Sequence, residues 1–372
     1  MHWLLLILAI LWQQAPPQQR AEAQTSQEKE AARQAGTAST VTRSGSVTPS
    51  ELKRLFQTQT GQSVRFAKGL HDSAFTVKWN DTPFWTAVAE LESATGAIAT
   101  GDRADHALVL QPRSAGANPS IASSGPCRVE IVRHTLRSNL VDPSQAILQV
   151  RWRIRTEPRL RPLFVGVADA DCSLTDGQRT FLPLSPDARR DIPGDRWEGS
   201  ELDTAFEVPR DIETKNLAVT LAGEVKVAAI PLPLTFTDLD RPNPAEQRRG
   251  AASGKLGNLL FLKDARSFGF ELTLNYDRGG PEFESHRLWI YQNAAWLEHK
   301  TTGQRIRASA VELKETTRTG GVLGFGFDDF EGQPSDYRFV YEAPSLIIGV
   351  PFRIDLLKLV KAGGGRPEAG VK

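Results

Sequence analysis

The sequence predicts a multidomain fold: a small α+β domain, then two mainly antiparallel β-sandwich domains. Three observations predict it. A helix-then-strand unit occurs twice within about 35 residues near the N-terminus. Downstream, short runs of alternating apolar and polar residues recur between turn signals. The 30 Gly and 23 Pro of the 372 residues favour turn-rich β-structure over long helices.

The first residues come ahead of these domains. Trp3 to Trp12 is an apolar run of ten residues. A helix needs roughly 20 to cross a bilayer, so the run fits the core of a secretory signal peptide. Ala21-Glu22-Ala23 supplies a cleavage site, which makes residues 1–23 the leader. An uncleaved anchor is the alternative. With the leader removed, no membrane span is expected. Residues 24–47 are polar and poor in bulky apolar side chains, and read as a disordered linker.

Block one covers residues 48–111. Thr48 and Glu51 form a capping box around Pro49, and Leu52, Leu55 and Phe56 share one helix face. Gly61 ends that helix. Val64 and Phe66, then Phe75, Val77 and Trp79, alternate as strands. Thr82 and Pro83 open a second helix with Phe84, Ala87, Val88 and Leu91 on one stripe, ended by Gly96. Residues 97–100 and 106–111 read as a closing strand pair.

This pattern resembles the short N-terminal domain of secretins and TonB-dependent receptors. The matching positions are Leu52, Leu55, Thr60, Gly61, Val64, Leu70, Val77, Val88, Leu91 and Gly96. The resemblance covers about 65 residues and implies a non-enzymatic periplasmic docking module, hence an envelope protein as partner. No secretin core or transmembrane barrel pattern follows, so only the docking role carries over.

Residues 112–125 and 239–256, the latter bounded more closely as Asp238–Lys255, read as linkers, and 361–372 as a disordered tail. They leave β-sandwiches at 126–237 and 256–360. In the first, Cys127, Val129 and Ile131 alternate with polar residues, as do Leu148, Val150, Trp152 and Ile154. In the second, strands are expected at 268–274, 287–291, 308–313, 338–341 and 346–354. Both blocks end on an apolar residue, Pro and alternating apolar residues: Ile230-Pro231-Leu232 and Val350-Pro351-Phe352. That parallel suggests tandem copies of one sandwich.

The two cysteines, Cys127 and Cys172, either pair in an oxidising compartment or stay as buried thiols. Pairing would close a loop of about 45 residues, worth on the order of 4 kcal/mol.

Net charge is +1, so no global field steers the chain to nucleic acid. Arg151, Arg153 and Arg155 project to one strand face, with Arg159 and Arg161 close behind. Such a row either binds anions or is a solvated face balanced by carboxylates such as Glu130. Trp289 and Tyr291 share a strand face that either stacks on a sugar ring or packs a core. Asp169, Asp171 and Asp176 lack the spacing of a calcium loop. Gly321, Gly324 and Gly326 before Asp328, Asp329 and Glu331 read as a glycine-rich hairpin with an acidic tip. The histidines are not in metal-ligand spacing, and no nucleophile motif appears.

The reading is therefore a non-enzymatic docking or scaffold protein of the envelope, with no catalytic residues, cofactor or metal. The alternatives are a carbohydrate- or anion-binding protein, and a glycan hydrolase using Asp328, Asp329 or Glu331.

Overall fold

The computed structural model describes residues 29–68, 70, 73–103, 107–113, 120–242, 244–249, 252–276, 293–317, 319–328 and 330–357. The apolar N-terminal run, the Ala21–Ala23 site, the tail 361–372, and Trp289 and Tyr291 lie outside these residues. The described chain is multidomain and β-rich, with several antiparallel sheets. No described helix is long and apolar enough to cross a membrane.

The chain does not begin folding at Thr48. Residues 29–36 form a helix, α1, and β1 (Thr40–Val47) follows. Both fall in the stretch expected to be a disordered linker. A Glu30–Arg33 pair one turn apart supports α1. Its Ala35 packs into the core of the middle unit. β1 is mostly polar but buries Val41 and Val47 completely or nearly so. Two well-placed valines are enough to fix a strand whose partner covers one face.

In the N-terminal unit β1 pairs antiparallel with β3 (Phe75–Pro83). Here α2 (Pro49–Thr60) carries the expected capping box, and Gly61 ends it at φ 70°. The second helix, α3 (Phe84–Thr95), ends at Gly96 with φ 65°. Thr82 does not cap it: β3 runs to Pro83, and the Thr82 hydroxyl takes the Asn80 N–H. A second sheet runs β2 (Ser63–Phe66), β5 (Ala107–Pro112), β4 (Ala97–Asp102), with β2 and β5 parallel. One core joins Leu52, Phe56, Trp79, Phe84, Val88 and Leu91. Phe56 meets Trp79 and Phe84 edge-on at 5.8 and 5.5 Å.

The middle unit has a four-stranded antiparallel sheet. Its strands are β6 (Ile121–Ser124), β7 (Cys127–Ser138), β8 (Gln145–Thr156) and β13 (Ser200–Pro209). β6 lies inside the expected linker 112–125. A second sheet holds β9 (Pro162–Ala168), β10 (Ser173–Thr175), β11 (Thr180–Phe181), β12 (Arg189–Pro193) and parts of two long strands. Those strands are β14 (Ala218–Phe236) and β22 (Tyr337–Leu357).

These two strands overturn the expected domain boundaries. β14 and β22 do not end two tandem domains. They pair with each other antiparallel, from Ala218↔Leu357 to Phe236↔Phe339. At roughly 3.3 Å per residue the 19 residues of β14 make a ribbon about 60 Å long. One end of it builds the middle core, where Val219 and Leu221 join Phe352 and Ile354. Trp152 on β8 meets Phe352 on β22 at 6.2 Å, so the two sheets contribute to one core. The other end builds the third core, with Leu234, Phe236, Phe339 and Tyr341. Neither 126–237 nor 256–360 is therefore complete alone. The segment after Ile348 fills the middle unit because its alternating apolar residues match the open edge of β14.

The third unit adds a five-stranded sheet, β15 (Gln247–Arg249), β16 (Ala252–Leu262), β17 (Ser267–Tyr276), β21 (Gly320–Phe327) and β20 (Ala310–Thr316). β15 and the start of β16 occupy the expected linker 239–256. The ribbon end is extended by β18 (Ala295–His299) and β19 (Arg305–Arg307). Gly321, Gly324 and Gly326 lie in β21, not in a hairpin loop. That strand sits between two others, and at its start a Cβ on Gly320 would lie 1.7 Å from the Leu274 carbonyl oxygen. Phe270, Phe325 and Phe339 cluster in the core, with Phe270 and Phe339 edge-on at 4.7 Å.

Candidate functional site

The arginine row lies against the N-terminal unit, and carboxylates take up its charge. Arg151 donates to both oxygens of Asp203 on the neighbouring β13, at 2.7–3.2 Å. These bonds hold the Arg151 guanidinium above its ordinary range. Arg153 pairs with Glu130 at 2.6 Å and with Glu201. Arg155 donates to the Ala99 carbonyl of β4 at 2.5 Å and to the Glu198 carbonyl at 3.2 Å. Burial lowers the Arg155 guanidinium, with the Glu130 charge acting in the opposite direction. Asp203, Glu130 and Glu201 thus lie within ion-pair distance of the row's three guanidinium groups.

The same strand ends extend into a buried polar seam between the first two units. Arg128 on β7 is 1% exposed and Glu92 on α3 is 3% exposed. Arg128 Nη2 donates to both Glu92 oxygens, at 2.9 and 2.8 Å. Glu92 also accepts the Ala99 N–H at 2.6 Å. The Arg128 guanidinium lies 5.2 Å from the Trp85 ring centroid, and Trp85 Nε1 donates to the Pro126 carbonyl at 3.0 Å.

Glu157, just past β8, is fully buried. It accepts from the Ser39 N–H and hydroxyl at 3.0 and 2.7 Å, from Gln62 Nε2 at 3.5 Å and from Arg159 Nε at 2.6 Å. Arg159 reaches back to the carbonyls of Gln34 and Thr37. At the rim Arg103 pairs with Asp195 at 2.7 Å. Gly101 lies so close to Trp197 that a Cβ there would sit 2.1 Å from the Trp197 carbonyl oxygen. Two carboxylates and three guanidinium groups (Glu92, Glu157; Arg128, Arg155, Arg159) thus join the N-terminal unit to the β-body. Arg128, Glu92 and Glu157 were not singled out by sequence. Their only local signal is a charge at the end of an apolar pattern, and the partners are up to 118 residues away.

Other candidates separate cleanly. Cys127 and Cys172 are both free, buried thiols. Burial, with the Glu157 charge adding to it, pushes Cys127 up to about 12. Burial also raises Cys172, whose Sγ lies 3.8 Å from the Ala222 carbonyl. Asp169 pairs with Arg190. Asp176 takes the backbone N–H groups of Arg179 and Gln178 and then the Arg179 side chain, which lower it to about 2. Glu331 is a surface partner of Arg266 at 2.6 Å, and Asp329 lies outside the described residues. His299 stacks edge-on to Tyr337 at 5.0 Å, and its Nδ1 accepts two backbone N–H groups. Among the described residues no three His, Cys, Asp or Glu side chains gather as a metal site.

Compared with known proteins, the chain matches no family model, and no curated protein matches its sequence.

Proposed function

We propose that the chain is a non-catalytic, exported protein of the cell envelope whose N-terminal α+β unit docks a protein partner. The observation that carries this reading is the β1–β3 ribbon. Among the described residues it is a sheet of two strands, each lacking a second strand neighbour, with Gln59 bonded to the Thr42 N–H and carbonyl of β1. One face is packed by Val41, Val77 and Trp79 on the unit's own core. The other presents Ser44, Ser46, Thr76 and Lys78 to solvent. An extended segment of a partner can add to such an edge through main-chain hydrogen bonds, with alternate side chains setting specificity. The resemblance of residues 48–111 to the short domain of secretins and TonB-dependent receptors supports the same role. Export rests on the apolar run at Trp3–Trp12 and the Ala21–Ala23 site.

The polar seam gives the docking unit a fixed mount. The partner would meet one body, not a domain on a flexible tether. The experiment is in-cell crosslinking of the tagged chain followed by mass spectrometry, compared with a Ser44→Asp, Lys78→Glu variant. Both positions are exposed, so the variant keeps its core. A defined envelope protein captured by the natural chain and lost with the variant supports the reading. Equal capture by both chains rejects the ribbon as the docking edge.

A further inference from the structure

Two arginines outside the seam make no ion pair with a carboxylate among the described residues. Arg161 lies in the short connection between β8 and β9, and Arg196 in the loop between β12 and β13. The two segments touch. Gly194 N–H donates to the Leu163 carbonyl at 2.9 Å, and a Cβ on Gly194 would meet the Pro162 backbone at 2.8 Å. Arg196 Nε donates to the Pro158 carbonyl at 2.5 Å, with its guanidinium 5.0 Å from the Trp197 ring centroid. Arg161 Nη2 donates to Asn293 Oδ1, and Asn293 Nδ2 donates to the Tyr341 hydroxyl at 2.6 Å. Asn293 and Tyr341 are buried parts of the third unit.

Every acceptor these two guanidinium groups use among the described residues is neutral. Among the described residues, Arg161 Nε and Nη1 and both Nη of Arg196 donate to no protein acceptor. Arg196 is itself exposed, and no Arg161 nitrogen is a buried orphan. The charged and titratable groups acting on Arg161 among the described residues are Tyr341, the Glu342 carboxylate and Tyr276, all opposing the lowering by burial. Partial burial and then the Arg161 charge lower the Arg196 guanidinium, so the two cations sense each other. Elsewhere the fold meets arginines like these with Asp or Glu, as at Arg128, Arg151, Arg153 and Arg190.

We propose that Arg161 and Arg196 form an oxyanion site for a phosphate- or sulfate-bearing ligand where the three units meet. Two forks from different strand connections suit a tetrahedral group with acceptors on several sides, where a planar carboxylate would satisfy one fork. The neutral Asn293–Tyr341 pair holds Arg161 in place without cancelling its charge. This moves the anion-binding role from the row at Arg151, Arg153 and Arg155 to its unpaired neighbours, and it is independent of the docking role.

The test is calorimetric titration of the full chain with inorganic phosphate and inorganic sulfate, in chloride buffer at constant ionic strength. Saturable binding is expected, weakened about tenfold or more in Arg196→Gln and in Arg161→Gln. It should be unchanged in Arg179→Gln, whose natural side chain pairs with Asp176 at the surface. Arg196 is exposed, so Arg196→Gln keeps the fold even where loss of the Asn293 contact disturbs Arg161→Gln. Vesicles containing phosphatidylglycerol form a second arm. Retention on them, lost in Arg196→Gln, assigns a lipid headgroup, and phosphate binding without retention assigns a soluble anion. No saturable binding of either ion, or equal binding by natural chain and Arg196→Gln, overturns the site.

Discussion

Replacing Arg128 by Ala should be among the most costly single changes in this chain. The substitution removes both bonds to Glu92, at 2.9 and 2.8 Å, and the cation over Trp85. Glu92, 3% exposed in the natural chain, keeps the Ala99 N–H as a donor at 2.6 Å. A buried carboxylate stripped of its cation costs about 3–5 kcal/mol. The lost cation–π contact adds about 0.5–2 kcal/mol. With a urea slope of about 1–3 kcal/mol/M, a 4 kcal/mol loss lowers the midpoint by roughly 1.5–4 M. The Glu92→Leu, Arg128→Met double variant should recover most of this, because a packed apolar pair removes two desolvation penalties. Urea unfolding of the natural chain, Glu92→Leu, Arg128→Met and the double closes the cycle. A loss below about 1 kcal/mol in Arg128→Ala, or additive singles, would show that water reaches this pair and that the seam is not buried.

Four further outcomes are expected. Gly101→Ala places a Cβ 2.1 Å from the Trp197 carbonyl oxygen and should destabilise by about 1–3 kcal/mol. Phe339→Ala empties the centre of the third core and should cost about 3–5 kcal/mol by thermal or urea unfolding. Native protein should show almost no thiol reaction with a disulfide reagent, and two thiols per chain after denaturation; none after denaturation would mean a bridge. Cys127 also sets a pH dependence, because its folded value lies near 12 against 9 unfolded. Below pH 9 both states are protonated and nothing changes; above it the unfolded chain loses the proton first. Stability should therefore fall by up to about 1.4 kcal/mol per pH unit between pH 9 and 12, and Cys127→Ala should flatten that slope.

Local signals carried the N-terminal helices. The Thr48–Glu51 capping box, the left-handed Gly61 and Gly96, and the Leu52–Phe56 and Val88–Leu91 stripes all act within one or two turns. β1 was hidden because Thr40–Val47 offers only Val41 and Val47 to the core, and a strand so polar reads as linker until β3 is beside it. The β14–β22 ribbon was misread for a different reason. Its matching Ile-Pro-Leu and Val-Pro-Phe patterns do mark two similar strands. Whether such strands close separate sheets or pair together depends on contacts more than 100 residues apart in sequence. The arginine row shows the same limit. Alternation placed Arg151, Arg153 and Arg155 on one face, but Asp203, Glu201 and the Ala99 carbonyl decide what they do.

Site-specific photo-crosslinking in the cell tests the docking claim most directly. The probe is placed at Ser44 or Lys78 on the β1–β3 ribbon, and at Lys215 or Lys314 on the β-body as controls, all exposed positions. The docking account predicts one defined envelope protein trapped from the ribbon positions and absent from the controls. Capture of the same protein from Lys215 or Lys314 alone, with nothing from Ser44 or Lys78, would contradict it and move the interface to the β-body.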